Sequence, residues 1–341
     1  MFTFTGDPYS RGVQHGRERA EQIRRRLAQQ PRLPVQPWIA ATAVAAPHLV
    51  QEMEGIAAGA GTPFEDIFRL NCFEAFDLVE MVERGGCTAV VYAAEGRTVA
   101  AQNWDANAEL AAGLAVHLQR DPQRPDVVVL ASPGGLGWIG MNEHGVALVT
   151  NDLMGGTTAL TAPSQVIRRL LLEERSAEDA LARALSVLHP ALRSYLLADG
   201  SGQLISLEAR AGGEAAVARS GSVLTHTNHA KTTPGRDAED AELQRRVYPS
   251  SAHRDTRAAT LAQDLPSGTG ALPRLLADHD GHPLSICRHE SADEATITAA
   301  SVIFDCTGRR ADFALGYACR PESRDSVRFE GDPRVPQLRD L

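Results

Sequence analysis

The spacing of hydrophobic positions is helical over the first 80 or so residues. Apolar and small side chains recur at helical intervals over residues 9–27, 47–60 and 63–79. The run Gly59-Ala60-Gly61-Thr62-Pro63 interrupts this pattern, as glycine and proline commonly do between helices. The sequence therefore predicts an N-terminal segment made of helices.

The pattern changes after Gly85-Gly86, where short apolar runs rich in β-branched residues begin. Residues 87–93 and 97–104 form two such runs, and the short turn Ala94-Glu95-Gly96 between them predicts a β-hairpin. Further strands are predicted at 114–119, 127–131, 137–141, 146–151, 194–198, 204–208, 215–218, 223–227, 296–305 and 312–317. Helices are predicted at 164–174, 176–188, 253–263 and 270–278.

The order of these elements does not alternate regularly between strand and helix, which argues against a doubly wound parallel sheet. Groups of strands instead follow groups of helices. We expect an α+β fold in which two mainly antiparallel sheets are sandwiched between helical layers.

Composition and charge exclude several classes of protein. The 341 residues carry a formal net charge of −9, and no half of the chain is strongly basic, which argues against a nucleic-acid partner. No run approaches the roughly 18 apolar residues that span a bilayer. The N-terminus lacks the basic and apolar regions of a secretory signal, so we expect a cytoplasmic protein without a membrane partner.

The five cysteines are Cys72, Cys87, Cys287, Cys306 and Cys319. Their number is odd, their spacing is wide and no C-x-x-C pair occurs. This pattern favours reduced thiols over a disulfide framework. It also argues against a structural zinc site, so no metal and no cofactor is expected.

Gly86-Cys87-Thr88 places a cysteine at the first residue of a predicted strand. Gly86 has no Cβ, so its carbonyl can approach the Cys87 thiol under strain, as an N-to-S acyl shift requires. Hydrolysis of the thioester would free the α-amine of Cys87. An α-amine has a pKa of about 7.7–8.0 and can act as base for its own thiol. A buried structural cysteine after a turn is the alternative.

Gln102-Asn103-Trp104-Asp105 ends the second strand of the predicted hairpin. The end of one hairpin strand can lie beside the start of the other, which would bring Asp105 close to Cys87. A carboxylate there could hold the α-ammonium or a catalytic arginine. The alternative is a turn at the strand end, where Asn and Asp are common.

His226-Thr227-Asn228-His229 follows an apolar strand. The side-chain amide of Asn228 could donate to a developing oxyanion, an effect worth about 2.7–4 kcal/mol per donor. The H-x-x-H spacing would suit a metal on a helix, but no third ligand follows at a useful distance. A pair of structural histidines is the simpler interpretation of His226 and His229.

Ser285-Ile286-Cys287-Arg288-His289 brings a cysteine and a histidine close in sequence. On a strand, Cys287 and His289 would share a face and could serve a conventional Cys–His hydrolase. Arg288 would project from the opposite face and could meet a catalytic carboxylate. A surface strand with solvated Arg and His is the alternative.

Taken in order, these stretches resemble the acyl-CoA:6-aminopenicillanate (isopenicillin-N) acyltransferase family of the N-terminal-nucleophile hydrolase superfamily. The likeness also includes the N-terminal run from Gly6 to Gly16, the run from Glu54 to Gly61, and Leu70-Asn71. Each motif is weak alone, and their common order makes chance agreement improbable.

The resemblance implies an αββα sandwich and autocatalytic cleavage between Gly86 and Cys87. Residues 1–86 would then form a prosegment or small chain, and residues 87–341 the catalytic core, within a single integrated fold whose pieces remain associated. The implied site residues are Cys87 as nucleophile, Asp105 as supporting carboxylate, Asn228 as oxyanion donor, Arg288 as partner of Asp105 (with Arg309 and Arg310 as neighbouring alternatives), and Gly86 and Thr88 in support.

The sequence thus predicts a self-processing cysteine amidase or acyltransferase that acts through a thioester on a small amide or acyl donor. Acyl-CoA is a candidate substrate rather than a bound cofactor, and hydrolysis and acyl transfer are not separated by the residues. Two alternatives stay open. One is an unprocessed binding or scaffold protein on the same fold, and the other is a conventional hydrolase that uses Cys287 and His289.

Overall fold

The computed structural model describes residues 1–74, 86–265, 271–291 and 296–330. Within these residues the strands are β1 Phe2–Thr5, β2 Cys87–Ala94, β3 Arg97–Asn107, β4 Ala115–Arg120, β5 Val127–Ala131, β6 Ile139–Asn142, β7 Ala147–Asp152, β8 Arg193–Ala198, β9 Leu204–Ala209, β10 Ala216–Ser220, β11 Val223–His226, β12 Thr296–Asp305, β13 Arg310–Tyr317 and β14 Arg320–Arg328.

The helices of the described residues begin with an N-terminal group and then surround the sheets. They are α1 Pro8–Glu18, α2 Ala20–Gln29, α3 Gln36–Ala45, α4 Pro47–Ala60, α5 Phe64–Asn71, α6 Ala108–Ala112, α7 Ser164–Leu171, α8 Ala177–Ser186, α9 Thr233–Ala238, α10 Ala241–Val247, α11 Ser251–Ala262 and α12 Ala271–Leu276. None of them is long and apolar enough to cross a membrane.

The strands of the described residues pair into two sheets. The larger has the order β1-β4-β5-β6-β7-β8-β9-β10 and the smaller the order β11-β2-β3-β12-β13-β14. All neighbouring pairs are antiparallel except β1 with β4. The predicted α+β class with two mainly antiparallel sheets is confirmed.

Three apolar clusters define the layers. One lies between the larger sheet and the helices α2–α5, α7 and α8. The second lies between the two sheets and includes Cys87, Trp104 and Trp138. The third lies between the smaller sheet and the helices α11 and α12. The order of layers is therefore helix, sheet, sheet, helix, and Cys87 lies in the central layer.

Helices α1 and α4 cross at closely packed glycines. A Cβ on Gly12 would lie 2.1 Å from the carbonyl oxygen of Glu52, and one on Gly55 would lie 2.2 Å from that of Tyr9. Gly16 and Gly59 repeat the relationship one turn later. Backbone-to-backbone contact of this kind excludes any side chain, which explains the glycine spacing in the two N-terminal motifs.

The predicted β2–β3 hairpin forms as expected. Ala94 pairs with Arg97, and the two loop residues Glu95 and Gly96 have φ of 51° and 74°. Two positive φ values are the signature of a type I′ turn, whose twist matches that of the strands. Ser176 caps helix α8, since its hydroxyl accepts from the backbone N–H of Asp179 at 3.1 Å.

Several predictions of secondary structure were wrong. Phe2–Thr5 is a strand, and residues 285–289 are not a strand. The predicted helical range 9–27 is helical but divides into α1 and α2 at Arg19. None of the predicted ranges covers α3, α6, α9, α10 or β14. Strand β14 is a mostly exposed edge strand, so it lacks the alternation of apolar residues that a half-buried strand shows. The part of the predicted 63–79 helix beyond residue 74 lies outside the described residues.

Candidate active site

The β2–β3 hairpin brings Asp105 beside Cys87. Cys87 is the first residue of β2 and lies opposite Trp104 of β3. The ladder continues by one hydrogen bond, in which the Asp105 backbone N–H donates to the Gly86 carbonyl at 2.8 Å. The predicted proximity of Asp105 to Cys87 is therefore present, and it follows directly from the hairpin register.

The peptide bond between Gly86 and Cys87 is held on both of its polar atoms. Its carbonyl oxygen accepts from Asp105, and its N–H donates to Oδ1 of Asn228 at 2.8 Å. The next carbonyl, that of Cys87, accepts from Nδ2 of Asn151 at 3.1 Å and from Arg254 at 2.6 Å. The backbone on either side of the thiol is thus fixed by Asp105 of β3, by Asn151 of β7, and by the side chains of Asn228 and Arg254.

Asn228 is fixed in a single orientation. Its Oδ1 accepts from the N–H of Cys87 and also from Nη2 of Arg254 at 2.9 Å, while its Nδ2 donates to the Asp152 carbonyl at 3.0 Å. Its backbone N–H donates to the Ser251 hydroxyl at 2.7 Å. The amide nitrogen of Asn228, which the sequence suggested as an oxyanion donor, is engaged by the Asp152 carbonyl of the opposite sheet.

Arg288 and Asp105 meet as the sequence suggested. The Arg288 Nε lies 3.4 Å from Oδ2 of Asp105. Thr298 connects the two residues, because its hydroxyl donates to Oδ1 of Asp105 at 2.8 Å and accepts from the Arg288 backbone N–H at 2.9 Å. The neighbouring alternative Arg310 pairs with Asp312 instead.

The sequence interpretation missed Arg254. This residue of α11 donates to the Cys87 carbonyl, to the Thr88 hydroxyl at 2.9 Å and to Asn228. Its burial, together with the positive charge of Arg288, lowers the pKa of Arg254 to about 10, so the guanidinium stays charged at neutral pH. The buried face of α11 offered a signal, since Arg254 shares it with small residues only: Ser251, Ala258 and Ala262.

A hydroxyl joins the two guanidinium groups. Ser250 accepts from Nε of Arg254 at 3.0 Å and from Nη2 of Arg288 at 2.5 Å. Both arginines are buried, with 0% and 3% of their surface exposed. Two buried cations and the carboxylate of Asp105 therefore lie around the segment that carries Cys87, and the cations could stabilise negative charge on a reacting oxygen.

Gly86 is required by the close approach of Arg254. A Cβ at this position would lie 2.7 Å from Nη2 of Arg254 and 3.2 Å from Oδ1 of Asn228. The guanidinium is held by several hydrogen bonds and has little room to withdraw. The preceding Gly85 lies outside the described residues.

The Cys87 thiol is buried, with 7% of the residue exposed. Burial, followed by the negative charges of Asp105 and Asp152, raises the pKa of the Cys87 thiol to about 12. The charge of Arg254 acts in the opposite direction and is weaker. The Cys87 thiol is therefore protonated at neutral pH.

The two histidines beside Asn228 have separate partners. His226 contacts the Glu208 carboxylate at 2.9 Å, and His229 contacts the Ser251 hydroxyl at 2.8 Å. Each anchors a different side of the turn that presents Asn228. This arrangement fits the interpretation of a structural pair.

The segment from Cys287 to His289 is extended loop rather than strand, yet its side chains alternate as predicted. The Sγ of Cys287 lies 3.7 Å from Nε2 of His289, while Arg288 between them reaches Asp105 and Ser250. The same His289 nitrogen is closer to Sγ of Cys319, at 3.3 Å, and to Nε2 of His279, at 3.1 Å.

Comparison with known proteins gives a consistent result. Residues 92–318 match the family described as acyl-coenzyme A:6-aminopenicillanic acid acyl-transferase. This range includes Asp105, Asn228 and Arg288 and begins shortly after Cys87. The acyl-coenzyme A:6-aminopenicillanic-acid-acyltransferase 40 kDa form of Emericella nidulans is 27% identical over 286 residues, which are 83% of this chain and 79% of that protein.

Among solved structures, penicillin V acylase from Agrobacterium tumefaciens has a TM-score of 0.49 at 14% identity, over 71% of this chain and 86% of that one. A mutant of the conjugated bile acid hydrolase from Clostridium perfringens has a TM-score of 0.47 at 11% identity, over 71% and 92% of the two chains. Because the family match covers about two thirds of the 341 residues, the chain belongs to the acyl-coenzyme A:6-aminopenicillanic acid acyl-transferase family and is an enzyme of the acyltransferase class.

Proposed function

We propose that the chain cleaves its own Gly86–Cys87 bond and then transfers or hydrolyses acyl groups through a thioester on Cys87. The observation that carries this proposal is the anchoring of that peptide bond, with the Asp105 N–H on its carbonyl and Asn228 on its nitrogen. Membership of an acyltransferase family supports the acyl chemistry.

Processing begins with attack of the Cys87 sulfur on the Gly86 carbonyl carbon. The C–N bond breaks, the thiol proton passes to the leaving nitrogen, and Gly86 becomes a thioester on Cys87. During attack, negative charge develops on the Gly86 oxygen, to which the Asp105 N–H already donates at 2.8 Å. Such a preformed donor lowers the barrier because it needs no reorganisation. Water then hydrolyses the thioester, giving a Gly86 carboxylate and a free thiol.

The processed enzyme has a nucleophile and a base in one residue. The new α-amine of Cys87, with a pKa of about 7.7–8.0, takes the thiol proton as the sulfur attacks the substrate carbonyl, and it returns a proton to the leaving group. Arg254 holds the Cys87 carbonyl and the Thr88 hydroxyl, which keeps this residue in place after the bond before it is broken. Arg288 fixes Asp105, and Asn228 supplies an amide beside the reacting atoms.

The substrate is proposed to be a small amide or acyl donor. The family description supports acyl-CoA as donor. A cleft of about 370 Å³, within the usual size of small-molecule sites, has Phe73, Leu110 and Trp138 in its wall. The ring of Trp138 lies 5.6 Å from that of Trp104, the cross-strand partner of Cys87, so this cleft is a candidate for the acyl group.

The two pieces are expected to remain associated after cleavage. Strand β1, from the smaller piece, pairs with β4 at the edge of the larger sheet. One apolar cluster also contains residues from both sides of the proposed cleavage point. Buried polar contacts reinforce the association, since Arg11 pairs with Asp121 at 2.5 Å and Arg26 donates to the Pro133 carbonyl at 2.9 Å. These contacts do not depend on the Gly86–Cys87 bond.

Intact mass and N-terminal sequencing of the purified protein test the proposal. We expect two fragments in the wild type, with the larger one beginning at Cys87, and a single full-length species in Cys87→Ala. Cys87→Ser should be cleaved slowly, because a hydroxyl is a weaker nucleophile than a thiol. Full-length wild-type protein after prolonged incubation would favour an unprocessed binding protein on the same fold.

The contact between Cys287 and His289 keeps a conventional Cys–His hydrolase as the second candidate. Activity against acyl amides separates the two. The proposal requires that Cys87→Ala abolishes turnover, and it would be wrong if Cys287→Ala did so while Cys87→Ala did not.

A further inference from the structure

Four metal-binding side chains converge beside the loop that carries Arg288. They are His279, Cys287, His289 and Cys319, and one potential ligand atom of each lies within 4.8 Å of the others. This group was not predicted from the sequence, because Cys319 is far from the other three residues in the chain and the spacing of the cysteines argued against a metal site.

We propose that these four residues form a tetrahedral Zn²⁺ site. Ligand atoms around a tetrahedral zinc lie about 3.3–3.8 Å apart, given Zn–S of about 2.3 Å and Zn–N of about 2.0–2.1 Å. The distances from Nε2 of His289 are 3.1 Å to Nε2 of His279, 3.3 Å to Sγ of Cys319 and 3.7 Å to Sγ of Cys287. These three distances are within a few tenths of an ångström of zinc-ligand spacing, and the other three pairs of ligand atoms lie within 4.8 Å of one another.

The donor set selects the metal. Two thiolates and two imidazoles match the soft sulfur and nitrogen ligands of structural zinc, whereas Mg²⁺ and Ca²⁺ require oxygen ligands. Binding releases the two thiol protons, and the resulting Cys₂His₂ complex is neutral. Because protein atoms supply all four ligands, no coordination position remains for a substrate, so the proposed ion is structural.

The site would join two segments of the chain. His279, Cys287 and His289 belong to the loop after α12, and Cys319 lies in the turn between β13 and β14. The two segments already touch, since the His289 ring stacks on Tyr317 with centroids 4.0 Å apart. A zinc ion would add metal–ligand bonds from both segments to this contact.

The connection has a consequence for the active site, which rests on the proposed function. Arg288 lies between two of the ligands and reaches Asp105 and Ser250. With Cys287 and His289 both held by zinc, the backbone of Arg288 would be fixed on either side. Zinc would then act as a positioning element for Arg288 without contacting the substrate.

Metal analysis of the full-length chain tests the site directly. The protein is made in zinc-supplemented medium, purified under reducing conditions without chelator, and freed of any histidine tag. We expect about one zinc ion per chain. Cys319→Ser and His279→Ala, both at exposed positions, should lose it. Cobalt substitution should give the sulfur-to-metal charge-transfer bands and the intense visible bands of a tetrahedral site.

Two control variants sharpen the assignment. Cys306→Ala removes a thiol from between the sheets, and His282→Ala removes a ring whose centroid lies 6.4 Å from that of His289. Both should keep the zinc. Zinc-free protein from these preparations, a disulfide between Cys287 and Cys319 in its place, or zinc that survives Cys319→Ser and His279→Ala would overturn the proposal. These readouts do not require activity, so they stand even if the proposed reaction fails.

Discussion

The backbone N–H of Cys87 donates to Oδ1 of Asn228 at 2.8 Å. Asn228 therefore holds the nitrogen of the peptide bond that we propose is broken. The sequence interpretation gave this asparagine one function, as a donor to an oxyanion. The structure adds an earlier one, in which it orients the leaving nitrogen of the precursor.

Replacement of Asn228 should separate these two functions. Asn228→Ala loses both, and we expect processing and turnover each to fall by about 100-fold or more, as for loss of an oxyanion donor. Asn228→Asp keeps an oxygen for the Cys87 N–H but has no amide to donate. It should retain more of the processing than the alanine variant while losing a similar share of turnover. Half-times of cleavage and kcat of the processed fraction measure the two effects, and an effect of only a few-fold in Asn228→Ala would remove both functions.

Arg254→Lys should slow processing by about tenfold or more. A lysine ammonium cannot reach the Cys87 carbonyl, the Thr88 hydroxyl and Asn228 at once, as the planar guanidinium does. Arg257→Lys is the matched control, because Arg257 lies on the same helix and pairs with Asp278 at the surface. Equal rates in the two variants, measured as cleavage half-times, would show that Arg254 only fills space.

Gly86→Ala should impair cleavage through a steric effect. The new Cβ would meet Nη2 of Arg254 at 2.7 Å, so either the guanidinium or the scissile peptide must shift. Gly156→Ala serves as control, since a Cβ there meets nothing within 4 Å. Intact mass over time gives the comparison. Wild-type processing in Gly86→Ala would mean that the close approach to Arg254 is not needed.

Processing should accelerate as the pH rises. Burial and two neighbouring carboxylates raise the pKa of the Cys87 thiol to about 12, above its ordinary value of 9.0, so the nucleophilic thiolate is scarce at neutral pH. Below that pKa the thiolate fraction increases about tenfold per pH unit. Cell-free synthesis of the precursor, followed by cleavage at a series of pH values, measures the slope. A flat or falling profile between neutral and mildly alkaline pH would contradict attack by the thiolate.

Much of the site could be predicted because it depends on residues that are close together in the sequence. The hairpin of β2 and β3 is specified by two apolar runs and the turn at Glu95 and Gly96, and its register alone places Asp105 beside Cys87. The alternation of side chains in an extended chain likewise separates Arg288 from Cys287 and His289. For these residues, backbone periodicity is sufficient to state which side chains lie together.

The remaining contacts depend on which layers pack together, and a single sequence does not show this. Arg254 reaches Cys87 only because helix α11 covers the smaller sheet. Asn151 reaches Cys87 only because strand β7 of the larger sheet faces the smaller sheet. Cys319 joins His279, Cys287 and His289 only because a turn of the last hairpin folds against the loop after α12. The sequence by itself determined most strands of the two sheets and the hairpin that places Asp105 beside Cys87, since short-range spacing sets both. The tertiary structure decided the partners that hold them, because those contacts arise from long-range packing between layers.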